Sequence, residues 1–75
     1  MKELVEYIAR GLVEYPERVA VTAIPQGNLT IYELEVAPDD MGKVIGRRGR
    51  TINALRALVK AAAVRSGERV NVEVV

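Results

Sequence analysis

With neither cysteine nor histidine among its 75 residues, this chain has no disulfide and no thiolate or imidazole metal site available, so its apolar pattern has to specify the fold unaided. The length fits one domain, near the lower size at which a chain buries enough apolar surface to fold alone. Hydrophobic residues make up 49% of it and recur with clear periods, which reads as globular rather than disordered. No apolar run approaches the roughly 18 residues of a membrane span, and no signal segment opens the chain. A soluble, cytoplasmic protein is expected.

From Lys2 to about Tyr15, Leu4, Val5, Ile8, Leu12 and Val13 fall at helical spacing. They predict an amphipathic helix stopped by Pro16, since the residue before a proline avoids the helical region. Residues 18–24 are mostly β-branched or small and fit a short strand. Pro25-Gln26-Gly27-Asn28 is turn chemistry. From Leu29 to Val36 the pattern alternates, with Thr30, Tyr32, Leu34 and Val36 on one side and Glu33 and Glu35 on the other, so a hairpin is expected. Pro38 suits the first position of a helix, and Asp39 and Asp40 in its first turn favour the positive end of the helix dipole. That placement explains both carboxylates without a catalytic or metal role. This short helix breaks at Gly46. A second helix starts near Gly49 or Arg50 and runs to about Arg65, with Ile52, Leu55, Val59 and Ala62 inward and Leu58 alongside, and Ser66-Gly67 ends it. Arg69 to Val75 alternates again, with Val70, Val72 and Val74 inward. The order α-β-β-α-α-β predicts an α+β fold, a three-stranded sheet with helices packed on one face, in a single domain over residues 1–75.

The formal net charge of +1 conceals a segregation. Residues 41–67 carry Lys43, Arg47, Arg48, Arg50, Arg56, Lys60 and Arg65 and no acid, whereas residues 1–40 carry three bases against eight acids. A solvated helix face usually mixes both signs, so a wholly basic segment points to a localised anionic partner.

Within that segment lies Val44-Ile45-Gly46-Arg47-Arg48-Gly49-Arg50-Thr51-Ile52. Gly46 is able to end one helix with a positive φ, and Gly49 lets the chain restart without a Cβ clash. The first unpaired N–H groups of the next helix then stand beside the loop, at the end that attracts phosphate. Arg47 and Arg48 add charge and planar donors. Two glycines three apart are common by chance, so the spacing alone is a weak signal. Walker and dinucleotide-binding glycine patterns are both absent.

These nine residues resemble the signature of KH domains, whose GXXG loop clamps about four nucleotides. The α-β-β-α-α-β order is that of the type II form, and the likeness covers essentially the whole chain. The N-terminal helix, Ala37-Pro38-Asp39-Asp40-Met41-Gly42-Lys43 and Val59-Lys60-Ala61-Ala62-Ala63 look closest to the KhpA family of small bacterial proteins built from one KH domain. The resemblance implies a mixed sheet and single-stranded RNA as ligand. It also implies a role as post-transcriptional regulator or RNA chaperone, self-association, and pairing with a larger companion protein that carries a KH domain. By position it assigns Gly46, Arg47, Arg48 and Gly49 to the backbone clamp and Ile45 and Ile52 to the aliphatic walls of the base groove. Lys43 and Arg50, from their place beside the loop, read as assisting the phosphate grip or, equally, as simply solvated. Arginine at both variable loop positions departs from a pattern in which one basic residue suffices, and implies stronger, less selective backbone affinity.

Other readings compete. Ile45 and Ile52 are core residues first. Arg56, Lys60 and Arg65 read as a solvated face as readily as an extension of the basic surface. Tyr7, Tyr15 and Tyr32 do not cluster near the basic segment, so no aromatic stacking platform is expected. An enzyme is disfavoured because no nucleophile stands beside a plausible base, and no cofactor or metal site is evident. A protein-docking module is the stronger competitor. It would not need both loop glycines, so Gly46→Ala is expected to weaken RNA binding far more than protein docking. Single-stranded DNA remains an alternative ligand, since a phosphate clamp does not read the 2′-OH.

Overall fold

In the computed structural model, which describes residues 1–75, the chain runs α1 (Lys2–Leu12), β1 (Ala20–Gln26), β2 (Leu29–Glu35), α2 (Met41–Ile45), α3 (Arg50–Arg65) and β3 (Arg69–Val74). Single 3-10 turns occupy Pro16–Arg18, Pro38–Asp40 and Arg47–Gly49. The expected element order is the one observed. β2 lies at the centre of a mixed sheet, antiparallel to β1 and parallel to β3, and the α2–α3 hairpin forms the crossover between the two parallel strands.

The alternation read from the sequence sets the two faces of the sheet. Val21, Tyr32, Leu34, Val70 and Val72 are buried beneath the helices, together with Val5 and Ala9 of α1 and Val44 of α2. Burial pushes the Tyr32 phenol above its usual range, with Glu68 and then Glu3 adding to the shift. On the opposite, uncovered face the register places Thr22, Glu33 and Glu73 in one row, with Glu35 beyond. Three of the ten acids, Glu33, Glu35 and Glu73, thus face away from the helices.

Four local readings are corrected. α3 buries Ile52, Leu55, Val59 and Ala63, not Ala62, and leaves Leu58 58% exposed. Eleven residues make just over three full helical turns, so Ala63 returns beneath Ile52 while Ala62 and Leu58 rotate away. β1 is displaced to Ala20–Gln26, so Pro25 lies within it opposite Thr30, and only Gly27-Asn28 remains as the turn. An edge strand tolerates a proline because its outward N–H has no partner to lose. α1 ends at Leu12 rather than near Tyr15, and Val13 is already extended (φ −105°, ψ 160°). The cause is tertiary. Asp40 is fully buried, and its two carboxylate oxygens accept the backbone N–H groups of Glu14 and Tyr15, each at 3.0 Å. Amides that would have extended α1 are taken by the start of the next helix pair. Asp40 therefore does more than complement a helix dipole: it ties the end of α1 to α2.

Candidate nucleic-acid interface

The loop between α2 and α3 is built on backbone conformations that few residues adopt. Gly46 has φ 76° and ψ 170°, a region that is essentially glycine-only. A Cβ at that position would stand 2.3 Å from Thr51 Oγ1, 2.8 Å from Thr51 Cβ and 2.9 Å from the Thr51 nitrogen. Gly46 is thus required twice, by its torsions and by the closeness of α3. Gly49 (φ 72°, ψ 16°) is left-handed, but a Cβ there would meet only Asn53 Nδ2 at 3.7 Å and Ile52 Cγ2 at 3.9 Å, ordinary contacts. Between them Arg48 is held left-handed at φ 57°, ψ 26°, the one non-glycine residue with positive φ. That conformation costs roughly 1–2 kcal/mol for a residue bearing a Cβ. Strain of this kind persists where the surroundings enforce it, commonly at ligand clamps.

Arg47, Arg48 and Arg50 are exposed, and none of them makes a side-chain hydrogen bond or ion pair. α3 begins at Arg50 with no side chain capping its N-terminal amides. Three free guanidinium groups and an uncapped helix end therefore share one small surface, a constellation suited to an anionic backbone. Ile45 is 37% exposed and offers an apolar edge beside this surface. Ile52 is only 5% exposed and belongs to the core, where it supports the loop from beneath.

Lys43 is differently placed. Its Nζ donates to Glu14 Oε2 at 3.2 Å and stands 3.8 Å from Asp40 Oδ1. The hydrogen bond to Glu14 is the main reason its pKa lies above the ordinary lysine value. The ammonium is charged but already engaged, so its attraction for a phosphate competes with two carboxylates of its own chain. Tyr15 also contributes to that shift, because its tie to Asp40 brings it beside Lys43. Of the tyrosines it alone is carried towards the basic segment, by a contact that sequence spacing does not reveal. Arg56, read as a solvated residue, is half-buried: Nε donates to the Val72 carbonyl at 2.9 Å and Nη1 to Asn53 Oδ1 at 3.2 Å. It pins α3 against the free edge of β3.

A helix hairpin closed by a glycine-bracketed basic loop and laid on a three-stranded mixed sheet defines a KH-type domain. The sequence profile of the KhpA/KhpB KH domain matches residues 2–74, and the chain belongs to that family. The RNA-binding protein KhpA of Clostridium acetobutylicum is 49% identical over 75 residues, covering all of both chains. That of Caldanaerobacter subterraneus subsp. tengcongensis is 52% identical, again over the full length of both. The protein of the same name from Chlamydia pneumoniae is 45% identical over 74 residues, 99% of this chain and 95% of its own. Among solved structures, Era from Aquifex aeolicus bound to GDP·AlF4− superposes with a TM-score of 0.68 at 21% identity, over 97% of this chain and 28% of Era. Era in complex with MgGDPNP and nucleotides 1506–1542 of 16S ribosomal RNA gives 0.62 at 22% identity, over the same shares of the two chains. The likeness to Era establishes the fold.

Proposed function

We propose that this protein is a non-catalytic binder of single-stranded RNA whose clamp is Gly46, Arg47, Arg48 and Gly49. The observation that carries the reading is the strained loop itself: Arg48 is held left-handed between two positive-φ glycines, and it and the flanking Arg47 and Arg50 are all unpaired. The name RNA-binding protein borne by full-length relatives supports the choice of RNA. In this reading the glycines let a sugar-phosphate backbone approach the main chain, Arg47, Arg48 and Arg50 neutralise phosphates, and the exposed edge of Ile45 contacts a base, with Ile52 behind it. Lys43 assists only after release from Glu14. The acidic outer face of the sheet repels a polyanion and confines it to the helical side. No helix is long and apolar enough to cross a membrane. We place the protein in the cytoplasm, as a post-transcriptional regulator or RNA chaperone that needs no cofactor. The same family membership supports self-association and pairing with a KhpB-type companion.

The decisive variant is Arg47→Asp with Arg48→Asp. Both side chains are exposed and unpartnered, so circular dichroism should be unchanged. Affinity for a short unstructured RNA should fall at least tenfold, about 1.4 kcal/mol, as expected for charge reversal at a phosphate site. Fluorescence anisotropy with the same RNA single-stranded and in a perfect duplex completes the test. Opening a duplex to admit bases costs a few kcal/mol, so the single strand should bind more tightly, and the contrast should widen as salt screens the unspecific attraction. Unchanged binding by the double variant, or equal affinity for both forms at moderate salt, would reduce the loop to a basic patch and end this reading.

A further inference from the structure

The face of the sheet turned away from the helices has no element covering it, and the register sorts it into two parts. Ile24 of β1 lies opposite Ile31 of β2, both half-buried, and the pair makes a small aliphatic platform. One pleat further along stands the row Thr22, Glu33 and Glu73, with Glu35 beyond it. None of these three carboxylates makes a hydrogen bond or an ion pair. β1 and β2 contain no basic residue, and the one base of β3, Arg69, lies opposite Leu29 at the far end of the ladder. Glu33 and Glu73 are register neighbours, on strands about 4.8 Å apart, and both are half-buried. Like charges set opposite one another destabilise a sheet. Nothing within the chain offsets this repulsion, so a cation supplied from outside would relieve it.

Charge sign and spacing together select the partner. Phosphates are repelled here, whereas one guanidinium placed over the row meets two carboxylates with its planar fork of donors. Along β2, Glu35, Glu33 and Ile31 recur on this face at every second residue, ~6.7 Å apart. An extended polypeptide laid along β2 presents its own alternate side chains at the same interval. A cation, a second cation and an aliphatic residue at alternate positions would meet Glu35, then Glu33 with Glu73, then Ile31 with Ile24. We propose that the uncovered sheet face docks an extended basic segment of another protein, with the pattern basic-x-basic-x-aliphatic. The clamp belongs to the helical layer on the other side, so this surface is separate from it and the inference stands independently of the RNA-binding reading.

Two peptides of one composition test it. Acetyl-Arg-Thr-Arg-Thr-Ile-Thr-amide has the matching pattern. Acetyl-Thr-Ile-Arg-Arg-Thr-Thr-amide sets its arginines side by side, so that in an extended chain they point to opposite sides. Each is titrated into the isotope-labelled protein at about 0.15 M salt, where attraction beyond ~8 Å is screened, and followed by NMR. The first peptide should move the amide signals of Thr22, Ile31, Glu33 and Glu73, leave those of Arg47 and Arg48 in place, and bind at least about fivefold more tightly than the second. Glu33→Gln/Glu73→Gln should melt no lower than the parent, because it removes a repulsion, and should bind the first peptide at least about fivefold more weakly. Equal binding of the two peptides, or undiminished binding by the variant, would reduce the face to unspecific attraction and overturn the proposal. A variant that melts below the parent would show the carboxylates serving the fold instead. The same amide shifts appearing with protein concentration alone would seat a second copy on the face, and their appearance with magnesium chloride in place of peptide would make it a cation site; either result overturns the assignment.

Discussion

Alanine in place of Gly46 should lower the melting temperature by at least about 8 °C, on the basis of roughly 4–8 °C per kcal/mol for a domain of this size. Two effects add. Holding a residue with a Cβ at φ 76°, ψ 170° costs of order 1–3 kcal/mol. The new methyl also has to displace Thr51, whose Oγ1, Cβ and backbone nitrogen lie at 2.3, 2.8 and 2.9 Å from its position. Moving a helix's first turn is an overpacking problem, typically another 1–3 kcal/mol. Gly49→Ala is the control, because it meets the torsional cost without the clash and should lose only about 1–2 kcal/mol. Thermal melts followed by circular dichroism decide the matter. If Gly46→Ala melts with the parent, or no lower than Gly49→Ala, the close approach to Thr51 has been misjudged. The consequence reaches the functional test. Gly46→Ala does not separate RNA binding from protein docking, as the sequence alone led us to expect, because loss of fold would abolish both. The exposed arginines carry that comparison instead.

What was legible in the sequence was whatever repeats locally. Alternation in Leu29–Val36 and Arg69–Val75 gave two strands and their inward faces, and Gly46-Arg47-Arg48-Gly49 announced a break between helices whatever lay around it. The residues that tie distant segments together were not legible. Asp40 reads as an ordinary first-turn carboxylate until the fold brings amides 25 and 26 residues earlier onto its oxygens. Lys43 reads as a free cation until Glu14, 29 residues away, pairs with it. Arg56 reads as solvated until β3 arrives with an unpaired carbonyl. In each case a polar side chain compatible with solvent was claimed by a backbone group or a charge that no periodicity indexes. The end of α1 was misplaced for the same reason, since helix propensity up to Pro16 yields to two hydrogen bonds made to a buried carboxylate.

That carboxylate should prove among the most sensitive side chains in the molecule. Asp40 is the only buried charged residue, with 0% exposure, and it satisfies the Glu14 and Tyr15 amides at 3.0 Å each while Lys43 Nζ stands 3.8 Å away. Hydrogen bonds to a charged group contribute about 1.5–3 kcal/mol each, and a donor left unpaired in a buried site costs its full desolvation. Asp40→Ala should therefore destabilise the fold by at least about 3 kcal/mol, a large part of the 4–11 kcal/mol that roughly 0.05–0.15 kcal/mol per residue implies for this length. Asp40→Asn keeps one acceptor but turns an NH2 towards a backbone N–H, and should fall between Ala and the parent. The exposed half of the same knot supplies the contrast. Glu14→Gln weakens only the Lys43 ion pair, whose side chains are 65% and 50% exposed, and should cost under about 1 kcal/mol. Urea unfolding of the three variants gives the ranking. Native-state hydrogen exchange gives the mechanism: the Glu14 and Tyr15 amides should lose protection in Asp40→Ala and keep it in Glu14→Gln. Asp40→Ala as stable as Glu14→Gln, with both amides still protected, would mean that α1 and the clamp helices are held together by apolar packing alone. The expected result is the reverse, with a single carboxylate fixing where α1 ends and where α2, five residues before Gly46, begins.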